Sequence, residues 1–188
     1  GSNESARNML NILVQRIRMG NETIADTLSQ HDKFFDKKAI IDKLTGLYSH
    51  YGIQEKFDRM LHHATVGNRP LCLIMLKVDE AKNIPASDRE LSNEQTLRTI
   101  AQTILTFLHP GDCAASLSGN KFAILLANLP LSDVSATAAR FRATVCQTHI
   151  ILPDGRPLPP VNISAGVCKA NDSDTLSTLI INASQSIG

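Results

Sequence analysis

Nucleophiles and metal ligands are the first residues to weigh here, and their spacing argues against covalent or zinc chemistry. Cys72, Cys113, Cys146 and Cys168 each sit in an apolar or small-residue stretch, with no Cys-x-x-Cys pair of the kind zinc and dithiol sites use. They read as buried free thiols in a reducing cytoplasm. His62 and His63 are adjacent on a helical stretch, which turns their rings to different faces and makes them a poor metal pair. Ser164 lacks the Gly-x-Ser-x-Gly setting that exposes a nucleophile, and no nucleophile beside a base occurs from Thr175 onward.

The chain that must position any site has 188 residues, 43% hydrophobic and 20% charged, enough for one substantial α/β core or a core with an appendage. Fibrous and wholly disordered readings are excluded. Lys+Arg 19 against Asp+Glu 18 leaves a formal +1, which gives no global footprint for nucleic acid or an anionic membrane. The longest apolar runs, Leu71 to Leu76 and Phe122 to Ala127, fall short of the roughly 20 residues that span a bilayer. With Gly1-Ser2 read as a cloning scar and no signal peptide in view, the expectation is a soluble, cytoplasmic piece of a larger protein, membrane-attached or not.

Residues 1–40 carry a diluted heptad in which Leu10, Ile17 and Ile24 lie seven apart, with Leu13 and Phe34 on the interleaved seam. A dimerising helical stalk and an amphipathic helix packed on its own domain are both consistent with it. Residues 41–188 then alternate elements. Helices are expected over 49–64, 90–108, 132–147 and 175 to the end, and strands over 71–78, 113–117, 121–126, 149–152 and 161–167. Ser118-Gly119-Asn120 forms the clearest hairpin signal, since Gly and Asn tolerate positive φ. The pattern gives an α/β (α+β) fold with a central mixed antiparallel sheet flanked by helices.

The stretch Asp42-Lys43-Leu44-Thr45-Gly46-Leu47 closely resembles the opening motif of the GGDEF domain, the palm-like nucleotidyl-cyclase fold of bacterial diguanylate cyclases. The likeness continues in register through Leu71 to Lys82, through Ser118-Gly119-Asn120-Lys121-Phe122 at the signature hairpin, and through Ser164-Ala165-Gly166-Val167. In that family two GTP-loaded domains meet face to face, each holding Mg²⁺ and guanine. The resemblance therefore implies a nucleotide site at Lys77, Val78, Asp79, Lys82, Glu94, Gly119, Asn120 and Lys121. It implies a product-binding site at His109 and Asp112.

Many of those positions depart from the pattern. Lys77 replaces a metal-binding aspartate, Asn120 and Lys121 replace two acids, Pro85 replaces a guanine-reading asparagine, and Glu94 stands for an aspartate; Asp79, Lys82 and Gly119 match. Mg²⁺ wants carboxylate oxygens. The substitutions make the site about five charge units more positive, and each like-charge pair about 4 Å apart costs roughly 4 kcal/mol at an effective dielectric of about 20. No catalytic residue, metal or cofactor is therefore expected. Lys77, Lys82 and Lys121 are expected to cluster at the turn after the first strand, either attracting phosphate or standing as solvated charges. At the second site an imidazole replaces the guanidinium fork, so cyclic di-GMP is expected to bind poorly, and His109 reads as a helix C-terminal residue satisfying a carbonyl.

The expected function is a catalytically inactive GGDEF domain working as a regulatory and protein-interaction module in cyclic di-GMP signalling. It would dimerise through the N-terminal helix and engage neighbouring domains or protein partners. The alternatives are a Mg²⁺-independent GTP or cyclic di-GMP sensor, which allows for weak GTP binding, and a residual cyclase. No nucleic-acid partner is expected.

Overall fold

The computed structural model describes residues 39–187, and a compact unit begins at Asp42. Nearly all of the expected stalk lies outside the described residues.

The unit opens on a turn built by its own sequence. The Asp42 carboxylate accepts from the Thr45 N–H at 3.0 Å and its hydroxyl at 2.6 Å, while the Gly46 N–H donates to the Asp42 carbonyl at 2.8 Å. Gly46 has φ +76°, a conformation that costs little without a Cβ. Tyr48 then bridges to the edge of the sheet: its N–H donates to Ala114 O and its carbonyl accepts from Ser116 N–H.

Helix α1, His50–Gly67, starts where the Ser49 hydroxyl accepts from Gly52 N–H, and stops at Asn68 in the left-handed conformation. The next elements are β1, Leu71–Val78; α2, Arg89–Phe107, entered through a short 3₁₀ turn at Ala86–Asp88; β2, Cys113–Leu117; and β3, Lys121–Ala127. They are followed by α3, Leu131–Gln147; β4, Ile163–Lys169; and α4, Leu176–Gln185, whose first turn is closed by a reciprocal Thr175–Thr178 capping box.

The strands form one sheet in the order β2-β3-β1-β4, every pairing antiparallel. β1 lies in the middle, which explains its nearly uninterrupted apolar run: it is covered on both faces. Cys72, Ile74, Leu76 and Val78 face α2 and α3, meeting Ile100, Ile104, Val134 and Phe141. Leu71, Leu73 and Met75 face α1 and α4, meeting Ile53, Phe57, Leu176 and Leu179. Full burial of each large apolar side chain contributes about 1.5–3 kcal/mol against exposure.

Three expectations need correction. Residues 149–152 do not form a strand; Ile151 makes only an isolated bridge to Pro157. The last strand begins two residues later than expected, at Ile163, because Val161 is buried before the ladder starts. Of the cysteines, Cys72 and Cys113 are buried, but Cys168 is half-buried and Cys146 exposed. Cys146 follows buried Val145 by one residue, about 100° around α3, which turns it to solvent. No described helix is long and apolar enough to cross a membrane.

Candidate functional site

Antiparallel register decides which candidate side chains meet. Lys77, near the end of β1, lies directly opposite Lys121, the first residue of β3, and on its other side opposite Ser164 of β4. Leu117 of β2 faces Lys121 in turn. Directly opposed residues share a sheet face, so Leu117, Lys121, Lys77 and Ser164 form one row across all four strands. By the two-residue period this is the face of Met75 and Ala123, the side covered further along by α1 and α4.

The signature turn bends between Leu117 and Lys121. Gly119 has φ +75° and Asn120 φ +58°, so two consecutive left-handed residues join β2 to β3. The Asn120 carbonyl accepts from Val78 N–H at 2.9 Å, locking the turn to the end of β1. Its side chain forms a reciprocal amide pair with Asn93 of α2: Asn120 Nδ2 donates to Asn93 Oδ1 at 3.0 Å, and Asn93 Nδ2 to Asn120 Oδ1 at 3.5 Å. No local pattern marks Asn93, since the contact spans 27 residues.

Beside this pair opens a cleft of about 1000 Å³, lined by Val78, Asp79, Lys82, Asn93 and Asn120 with residues of the loops at 80–84 and 158–162. Ser92 and Thr96 of α2 also line it; they are 2% and 8% exposed, and neither hydroxyl has a hydrogen-bond partner among the described residues. The charged side chains of the lining are Asp79, Glu80 and Glu90 against Lys82 and Arg89, one more acid than base.

The expected three-lysine cluster therefore divides. Lys82 lines the cleft, whereas Lys77 and Lys121 stand on the opposite sheet face and are not part of its lining. Strand parity is the physical reason: Lys77 and Val78 are consecutive, and a step of one residue along a strand reverses the face. Glu94 is half-buried on α2 but does not line the cleft either. Position 120 offers the cleft an amide committed to Asn93, and among the described residues no three His, Cys, Asp or Glu side chains converge on one point.

His109 and Asp112 lie at the other end of β2. Asp112 is a buried structural carboxylate: Oδ1 accepts from Ala127 N–H at 2.9 Å and Oδ2 from His109 N–H at 2.9 Å. Its side chain is 3% exposed, and burial pushes its carboxyl up from the usual range against the pull of these two donors. The His109 ring is 77% exposed, with Nδ1 3.7 Å from Asp112 Oδ2, and it is the carboxylate rather than this ring that closes the turn.

A second structural ion pair escaped the sequence. Arg156 donates to both carboxylate oxygens of Asp88, at 2.9 and 3.0 Å, and to Asp154 at 2.7 Å, joining the long connection before β4 to the start of α2. Hydrogen bonding from the guanidinium holds the Asp88 carboxyl below the ordinary carboxylate range.

Comparison with known proteins places this geometry. The family model described as "Diguanylate cyclase, GGDEF domain" matches residues 39–187. Response regulator PleD of Caulobacter vibrioides is 25% identical over 150 residues, covering 79% of this chain and 33% of PleD. The uncharacterized protein YhcK of Bacillus subtilis is 29% identical over 167 residues, covering 88% of this chain and 45% of YhcK. The chain thus spans a third to under half the length of these curated relatives. Among solved structures, the GGDEF domain of DgcB from Caulobacter crescentus, in complex with c-di-GMP, superposes with TM-score 0.71 at 22% identity, covering 78% of this chain and 84% of that one. Diguanylate cyclase SiaD from Pseudomonas aeruginosa, with its activator SiaC, gives TM-score 0.70 at 22% identity, covering 94% and 67%. At that identity the two structures establish the fold.

Proposed function

Given that this chain belongs to the diguanylate cyclase GGDEF domain family, we propose that it is a non-catalytic member acting as a regulatory and protein-interaction module in cyclic di-GMP signalling. One observation carries the reading: Lys77 stands directly opposite Lys121, at two positions where the family resemblance implies acids. With Asn120 also replacing an acid, Asp79 lacks the two carboxylates that the family resemblance implies beside it at 77 and 120. Phosphoryl transfer is chiefly positioning and charge neutralisation around metal and phosphate, and the described residues lack the acids that the resemblance implies at 77, 120 and 121 and line the cleft with one more acid than base. The family fold is meanwhile intact, down to the positive-φ glycines at 46 and 119. Such a frame keeps its surfaces for partners, with the heptad of residues 1–40 as the route to a homodimer.

A second reading rests on the cleft. Its volume, Lys82 and the unpartnered Ser92 and Thr96 hydroxyls suit a Mg²⁺-independent sensor of GTP or cyclic di-GMP. Calorimetry with each nucleotide in EDTA separates the two. The interaction-module reading expects no heat and no thermal shift; saturable binding of either nucleotide supports the sensor.

A further inference from the structure

We propose that the row Leu117–Lys121–Lys77–Ser164 is a docking site for an acidic protein segment whose carboxylates stand one helical turn apart. This rests on the interaction-module reading and names its partner chemistry.

The starting observation is a like-charge pair that the fold does not neutralise. Residues directly opposed in an antiparallel pair have Cα atoms about 4.5–5.5 Å apart, and like charges there are destabilising. Neither lysine has an acidic partner among the described residues. Lys77 is exposed and Lys121 half-buried, and the row is completed by the half-buried Leu117 and Ser164. It presents, in sequence across the sheet, an apolar contact, two cations and a hydroxyl.

The type of anion follows from what surrounds the lysines. Phosphate sites draw mainly on free backbone amides or a guanidinium fork, with lysine adding a point charge that does not orient the anion. Here the Val78 amide is spent on Asn120 O and the Asp79 amide on Asn162 O, both at 2.9 Å, and the two cations are ammonium point charges. Separate carboxylates on adjacent turns of a helix, roughly 5–6 Å apart between Cβ atoms, match two ammonium groups at this spacing. The same row of a second copy would bring four ammonium groups together, so the occupant is an acidic surface and not this face of its twin.

The test uses the full chain and two synthetic helical peptides, one with Glu at positions i and i+4 and one with Gln at both. Titrations followed by calorimetry and amide chemical shifts should show the Glu peptide binding, with shifts centred on Leu117, Lys121, Lys77 and Ser164. Binding should weaken several-fold between 50 and 300 mM salt, both figures being of the order of the Debye-screening range. The double variant Lys77→Gln/Lys121→Gln should lose at least about tenfold in affinity, and Lys77→Glu/Lys121→Glu should instead take a Lys peptide of the same design, which shows that it is folded. Equal binding of the Gln peptide, shifts confined to the cleft, or displacement of the Glu peptide by equimolar inorganic phosphate or GTP would each overturn the proposal. Failure here leaves the non-catalytic reading standing, whereas turnover of GTP removes that reading whether or not the peptide binds.

Discussion

The carboxylate of Asp112 reaches across the start of β2 to the end of β3, accepting a hydrogen bond from the Ala127 N–H at 2.9 Å while the same side chain accepts one from His109 N–H. A residue that the family resemblance marks for ligand binding is thus spent on holding backbone. Asp112→Asn places an amide NH₂ where one of two converging N–H donors needs an acceptor. It should destabilise by about 1–3 kcal/mol. Urea denaturation reads this directly, and an unchanged midpoint would mean that water serves the two amides as well.

Gly166 is a matter of space. A Cβ built there would collide with the carbonyl oxygen of Ala183 in α4 and lie 2.9 Å from Ile187, just past the helix end. Backbone cannot rotate away as a side chain does, so Gly166→Ala should cost at least about 1–3 kcal/mol, the range for overpacking, and displace α4 from the sheet. A lowered melting temperature with loss of amide protection in α4 is the expected result.

Reversing one charge of the cross-strand pair should stabilise the domain. Lys121→Glu converts the like-charge pair with Lys77 into an opposite-charge pair, worth roughly 0.2–1 kcal/mol across the sheet. The gain should shrink with added salt. A loss of stability, measured by urea unfolding at low salt, would show that Lys121 has an attractive role the register does not reveal.

Alkaline pH should weaken the fold through two buried acids. Burial pushes the Cys113 thiol from 9.0 to about 12 and the Tyr48 phenol from 10.0 to about 12. Because the unfolded chain ionises first, stability is whole below about pH 9 and falls as the pH rises toward 12. Unfolding midpoints taken across this range should decline, and Cys113→Ala should make the decline shallower; a flat profile would remove burial as the cause.

The central strand and the hairpin were legible because their signals are local: an apolar run from Leu71 to Leu76, and Gly119-Asn120 between two short strands. The family motif at Asp42 was legible for the same reason, its bonds closing within five residues. The site was less so. Whether Lys77, Lys82 and Lys121 gather depends on strand parity and on where a loop folds back, and these are set by tertiary register. Asn93–Asn120 and Asp88–Arg156 join residues 27 and 68 apart and leave no periodic trace. The Pro-rich stretch before β4 has the composition of a turn, yet its apolar Ile150 and Leu152 are buried without a ladder, which is why a strand was expected there.

The most direct measurement is incubation of the full chain with GTP and either Mg²⁺ or Mn²⁺, following dinucleotide product by chromatography. With ammonium groups at 77 and 121 and an amide at 120, the expected result is no product above a protein-free control, at any chain concentration that allows dimers. Sustained conversion of GTP to a cyclic dinucleotide, abolished by Asp79→Ala, would contradict the account, because the remaining carboxylate would then be enough to run the reaction.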